Sequence, residues 1–436
     1  MSKHISRGTL AMTAVASVAL ALTGCAAAAE APEETEVSTQ ITDEPVTLKF
    51  VYFDDPPATQ LMEAFTAEHP NVTFEPQHIP FSDYVTSIKL TLNSDDAPDL
   101  AQYNAGAFRP LIKGGLVRGL DAWSEAYGWG DKFSPASLRM LTADEQATTY
   151  GEGNLYAVPA GTKFVGLYYN ADILAEVGVD APETIDELEE AMAKATAAGY
   201  RGLSVGGLET GIVHLWASIQ NVFQDPAEYE SWVFGQGGSS IETSGAAEAT
   251  DVLAGWAEAG YIAAGASAVS DTDALAEFVD GRSAFIMSGN WAAAGIATGI
   301  GEAAGFLPAP VASAGADRIA AGGSLAYAIP AKSKNANVAA AFLDFMATQE
   351  AAQLQVDAGL MPVGIGVDVT ADGLPGVLVA AYQEIVAGSG VVAFPDFATT
   401  GMLDVLKPGL QAVIAGQMTT DEFLASLQAE WDDTHA

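Results

Sequence analysis

Val46-Thr47-Leu48-Lys49-Phe50-Val51-Tyr52-Phe53 is β-rich and nearly continuous in apolar residues, the pattern of a strand covered on both faces by helices. Ala58 to Glu68 follows with Leu61, Met62 and Phe65 at helical spacing, and Pro70 ends it. Val72-Thr73-Phe74-Glu75 again reads as strand, Tyr84 to Leu92 as helix, and Pro98 to Tyr103 as strand. Strand and helix alternate through short links, which predicts an α/β fold around a mainly parallel sheet. The same alternation resumes after Gly153. Thr184-Ile185-Asp186-Glu187 is a capping box opening a helix with Ile185, Leu188 and Met192 on its buried stripe, and Gly199 closes it. A second box, Thr419-Thr420-Asp421-Glu422, opens a last helix carrying Phe423, Leu427 and Trp431. No repeat with a fixed period of roughly 20 to 50 residues is present, so a solenoid is not expected.

The 436 residues suffice for two or three domains at roughly 100 to 200 residues each, and 49% hydrophobic content supplies their cores. Against 56 Asp and Glu stand 17 Lys and Arg, a formal net charge of -39. A surface that acidic repels phosphate backbones, so no nucleic acid partner is expected. The acidity itself says little about a ligand, because it also serves solubility.

Lys3 and Arg7 precede an apolar stretch from Leu10 to Leu22, too short to span a bilayer and suited to a signal peptide over 1-24. Leu22-Thr23-Gly24-Cys25 resembles a bacterial lipobox, which implies cleavage before Cys25 and lipidation of its thiol. It is the chain's sole cysteine, so no intrachain disulfide is possible. Residues 25-45 read as a flexible acidic tether and the folded body starts near Pro45.

Four further segments, in order, carry a resemblance. The first is Leu61-Met62-Glu63-Ala64-Phe65 with Glu68-His69-Pro70-Asn71-Val72 and Ala97-Pro98-Asp99-Leu100. The second is Gly153-Asn154-Leu155-Tyr156-Ala157-Val158-Pro159, then Leu167-Tyr168-Tyr169-Asn170-Ala171-Asp172 and Ala181-Pro182-Glu183-Thr184. The third is Phe278 to Trp291, and the fourth runs from Gly322-Gly323 through Ala328-Ile329-Pro330 to Met361-Pro362. Together they resemble the extracellular solute-binding proteins of ABC importers, in the sugar-binding family that includes maltose-binding protein. Asn154 stands where that family usually has Lys, and Ile185 where it usually has Trp. The resemblance implies the two-lobed periplasmic-binding-protein-like fold (type II), with lobes joined by a multi-segment hinge. Crossings are expected near Phe164, Met287 to Gly289 and Leu325 to Ala328. Lobe 1 would combine 46-163 with 290-325, and lobe 2 would combine 165-287 with 329-436. It further implies a monomeric receptor on the outer face of the bacterial cytoplasmic membrane. Such a receptor is held by the lipid on Cys25 and delivers a carbohydrate to a two-subunit ABC permease. No cofactor and no metal are expected.

A sugar presents hydroxyls that need donors and acceptors and a C-H face that suits an aromatic platform. Ligands of open α/β sheets sit beyond the C-terminal ends of strands. Phe53, Asp54 and Asp55 after the first strand, and Tyr103 with Asn104 after the third, fit both demands. Trp291, in Ser288-Gly289-Asn290-Trp291, ends a strand and opens a helix, and it matches a position that commonly contacts sugar in the family. Asn290 beside it, Phe164, Gly322 and Gly323 at crossings, Trp216 on a second-lobe helix, and Phe394 with Asp396 complete the candidates. Arg109 and Lys163 are the nearest cations by sequence, too few to favour a phosphorylated ligand. A secreted hydrolase of carbohydrates is the rival reading, lacking any G-x-S-x-G or H-E-x-x-H, although two carboxylates would suffice for a glycosidase. Receptors for glycerol phosphate or a metal complex remain as alternatives, the latter opposed by the wide separation of His69, His78 and His214.

Overall fold

The computed structural model describes residues 36-53, 56-243, 245-388 and 390-435. The expected signal segment, Cys25, and Asp54 with Asp55 lie outside the described residues. In chain order the strands are β1 (Val46–Tyr52), β2 (Val72–His78), β3 (Leu100–Gln102), β4 (Thr142–Ala143), β5 (Asn154–Leu155), β6 (Val158–Asn170), β7 (Arg201–Ser204), β8 (Ser283–Gly289), β9 (Ala304–Pro308), β10 (Ile319–Ala328) and β11 (Gly390–Ala393). The main sheet has the order β2-β1-β3-β10-β6-β8-β7, with β11 beside β10 and β9 beside β6, while β4 and β5 form a small separate pair.

The sheet is mixed, which corrects the mainly parallel expectation. β1 is parallel to β2 and β3, β7 to β8, and β10 to β11. β10 runs against β3 and β6, and β6 runs against β8 and β9. The cause is topological. β6 and β10 carry the chain between two groups of strands in opposite directions. β6 changes neighbours in mid-course: Val158 to Phe164 lie beside β10, whereas Val165 to Asn170 lie between β8 and β9.

Helices cover both groups. In the Ala58–Glu68 helix Leu61, Met62 and Phe65 are buried as their spacing requires. Phe342, on the Ala336–Phe345 helix, sets its ring 5.3 Å from Phe65 and 4.9 Å from Phe74, so that helix packs on the β1-β2 group. Ile296, by contrast, shares a core with Tyr168, Phe278 and Phe306 around the later half of β6. These contacts run against the expected allocation of 290-325 to the first lobe and of all of 329-436 to the second. β8 stays beside Val165 to Tyr169 from Phe285 up to Gly289. Thr162 of β6 pairs with Met361, between the Gln349–Asp357 and Gly373–Ala387 helices.

Local signals behave as their chemistry dictates. Thr184 accepts from the Glu187 N-H while Glu187 accepts from the Thr184 N-H, a complete capping box, and Thr419 and Glu422 repeat the exchange. Residues 36-44 depart from the expected free tether. Ser38 donates its N-H to Asn337 Oδ1 (3.1 Å), Asn337 Nδ2 donates to the Glu36 carbonyl (2.9 Å), and Asn71 Nδ2 donates to the carbonyls of Thr42 (2.7 Å) and Glu44 (3.1 Å). Val37 and Ile41 pack against the core beneath. An acidic, period-free sequence hides this strap because the asparagines that hold it lie elsewhere in the chain. Among the described residues no helix is long and apolar enough to cross a membrane.

Candidate functional site

The crossing strands form a floor. Val165 pairs with Gly289 and Lys163 with Gly323, and alternate residues of a strand share a face. A Cβ on Gly289 would overlap the Trp291 ring, and one on Gly323 would lie 3.6 Å from the tip of Phe397. Trp291 and Phe397 therefore stand over the same face of β6, the one opposite Phe164. The Gly211–Phe223 helix brings His214, in its first turn, to this face. The His214 ring lies 5.4 Å from that of Trp291 and 5.0 Å from that of Phe394, making a continuous aromatic wall. Trp291 is 40% exposed, and neither its indole N-H nor the imidazole nitrogens have a hydrogen-bond partner among the described residues. Such a wall offers ring faces for C-H groups and free nitrogens for hydroxyls.

The ends of β1 and β3 are tied in by hydrogen bonds to main-chain N-H groups. The Phe53 N-H donates to Gln102 Oε1 (2.7 Å), and the Tyr103 N-H donates to the Ala326 carbonyl on β10 (2.7 Å). Asn104 caps the Ala105–Lys113 helix by accepting from the Ala107 N-H (2.9 Å). Trp291, His214 and Phe394 are joined by ring contacts, and Tyr103 is tied to β10 through the Ala326 carbonyl. Phe53 and Tyr103 are themselves mostly buried, against Tyr84 and Phe108.

Four expectations are corrected. Trp216 is fully buried, donates to Thr250 Oγ1 (2.9 Å) and meets Phe423 edge-on, so it belongs to the helical core. Phe164 is fully buried against Phe306 and Tyr382. Asn290 is buried and held on three sides: its Oδ1 accepts from the Phe164 N-H (3.0 Å), and its Nδ2 donates to the carbonyls of Thr162 (3.1 Å) and Gly359 (2.7 Å). It is a staple of the crossing, with both amide hydrogens committed to the main chain. Gly322 lies inside the β10-β6 ladder, where a Cβ would overlap the Lys163 carbonyl, so close backbone approach and not a turn demands glycine there.

Sequence reasoning missed His214, whereas Phe397 belongs to the Phe394-Pro395-Asp396-Phe397 cluster that it singled out. A signal for His214 exists in Ile212-Val213-His214-Leu215-Trp216. A polar ring interrupts an apolar run two positions, about 200° of helical turn, from the tryptophan, so the two rings face opposite ways.

Residues 54-353, more than half the chain, match the family described as bacterial extracellular solute-binding protein. The chain belongs to this family. The maltooligosaccharide ABC transporter solute-binding lipoprotein of Streptococcus pneumoniae is 26% identical over 215 residues, 48% of this chain and 49% of that one. The multiple sugar-binding protein of Streptococcus mutans is 26% identical over 320 residues, 70% of this chain and 71% of that one. The chain spans about half the length of the curated maltooligosaccharide, maltodextrin and xylose/arabinose relatives it matches. Among solved structures, a chitin oligosaccharide binding protein superposes with a TM-score of 0.72 at 20% identity, covering 90% of this chain and 99% of that one. A raffinose complex superposes with a TM-score of 0.65 at 20% identity, covering 90% and 100%. These establish the two-lobed α/β fold of solute-binding proteins for this chain.

The electrostatics of this solute-binding protein oppose one another inside the wall. Burial pushes the Asp396 carboxyl up to about 6, partly offset by a backbone hydrogen bond, and burial pulls His214 down to about 4. Unfolded, the same groups titrate near ~3.9 and ~6.5. Between about pH 4 and 6 the folded chain holds a proton on Asp396 that the unfolded chain lacks, and lacks one on His214 that the unfolded chain holds. The two slopes cancel. Relative to the unaltered protein, His214→Phe should gain stability as pH falls from 6 to 4. Asp396→Asn should lose it as pH falls from 6.5 to 4, each by about 2 kcal/mol. Denaturant unfolding at a series of pH values measures both, and parallel curves for all three proteins would refute the assignment.

Proposed function

We propose that this protein is a receptor that binds a neutral mono- or oligosaccharide between two lobes and turns nothing over. It would be anchored by a lipid on Cys25 outside the cell and deliver its cargo to a two-subunit ABC permease. The observation that carries the reading is the Trp291-His214-Phe394 wall over the crossing strands, whose free nitrogens and ring faces suit a polyol with apolar C-H surfaces. The printed names of relatives, among them maltooligosaccharide, maltodextrin, xylose/arabinose and multiple-sugar binders, point the same way. The first lobe comprises residues 36-164 with 324-357, and the second 165-322 with 373-435. Packing of Phe342 on Phe65 and of Ile296 with Phe306 supports that division. A hinge of this kind lets the ligand tip a two-state balance.

The test is a thermal-shift screen with maltotriose, xylotriose, chitotriose and raffinose, and glycerol phosphate as control. A sugar at a hundred times its dissociation constant adds about 2.7 kcal/mol, a readable shift. The expected result is a shift with a neutral sugar that chromatography then recovers intact. A shift with glycerol phosphate alone, or cleaved sugar, would overturn the proposal.

A further inference from the structure

Arg109 lies in the Ala105–Lys113 helix, the one that Asn104 caps, and is 6% exposed. In a chain with 56 acidic residues, no described carboxylate lies within ion-pair distance of it. Its guanidinium instead donates to four main-chain carbonyls in two separate segments. Nη1 reaches Ala147 (2.7 Å) and Thr148 (3.3 Å), and Nη2 reaches Phe397 (2.6 Å) and Ala398 (3.0 Å). Its central carbon sits 4.5 Å over the Tyr150 ring. The second segment is the Pro395–Phe397 turn that directly follows Phe394, the outer member of the aromatic wall.

We propose that Arg109 is a positioning residue that pins the 394-398 segment of the second lobe to the first, setting Phe394 in place against His214. The inference rests on the proposed lobes. The fork of a guanidinium can grip two carbonyl pairs at once, which an ammonium cannot. Neutral acceptors also suit a joint that opens. A buried carboxylate left behind by the departing arginine would be stranded without a counter-charge, whereas four carbonyls can each turn to water. Two more links accompany it between the same parts of the chain: an Arg139–Glu230 ion pair, and the Tyr150 N-H donating to the Phe234 carbonyl (2.8 Å).

The reporters are the amides of Phe397 and Ala398, which donate to the carbonyls of Phe394 (3.0 Å) and Pro395 (3.2 Å) within the pinned turn. Hydrogen exchange is measured on the sugar-free folded chain for the unaltered protein, Arg109→Met and Arg109→Lys. The expected result is at least tenfold faster exchange at those two amides in Arg109→Met and a partial, about threefold, effect in Arg109→Lys, with the 185-197 helix unchanged. Exchange within twofold of the unaltered protein, or acceleration equal in every segment, would overturn the proposal. Maltotriose affinity serves as a second readout and should fall in the same order. Absence of any sugar binding by the unaltered protein would count against the receptor reading, while the exchange data still decide the role of Arg109.

Discussion

Replacing Trp291 by Ala should weaken sugar binding by about 30- to 1,000-fold, some 2–4 kcal/mol, while barely moving the unfolding transition. The ring is 40% exposed and rests on Gly289 and the edge of His214, so little core packing is lost with it. A bound sugar ring, however, would lose its broadest apolar platform and a free indole donor. Calorimetric titration with the best sugar from the screen, beside a thermal melt, separates the two effects. An affinity within threefold of the unaltered protein would remove Trp291 from the site.

Trp216→Ala should do the reverse. The side chain is wholly buried, and its removal leaves a cavity beside Phe423 and breaks the bond to Thr250. The expected cost is about 3–5 kcal/mol of stability. The surviving folded fraction should bind sugar within about threefold of normal. A stable variant that no longer binds would restore Trp216 to the cleft.

The two tryptophans show what could be read in the chain and what could not. Both sit in short runs of mixed character, but Trp291 follows Ser288-Gly289-Asn290, where a strand ends and a helix begins, and that punctuation survives folding. Trp216 lies mid-helix, where only the phase relative to His214 reveals which ring turns inward. Strands, helices and both capping boxes were legible because periodicity and local hydrogen bonding are properties of neighbours in sequence. Strand direction was not, since an apolar run reads alike whether its partner is parallel or antiparallel, and β6 with β10 made the sheet mixed. The lobe membership of the Ala336–Phe345 helix was equally hidden. Most of its faces are apolar, and only Phe342 meeting Phe65 and Phe74 reveals which group of strands it covers. Asn290 looked like a ligand group because its amide has donors and acceptors to offer. The segments that consume them, near Thr162 and Gly359, are far away in sequence.

The asparagine-held segment 36-44 decides how force enters this molecule. Asn337 grips the Glu36 carbonyl and the Ser38 amide, and both it and Asn71 stand on the side built around β1 and β2. A tug from upstream is delivered to that side alone. On the proposed lobes, the part bearing Trp291 would feel that tug only through the crossings and the Arg109 joint, like a door whose frame rather than its leaf is bolted to the wall.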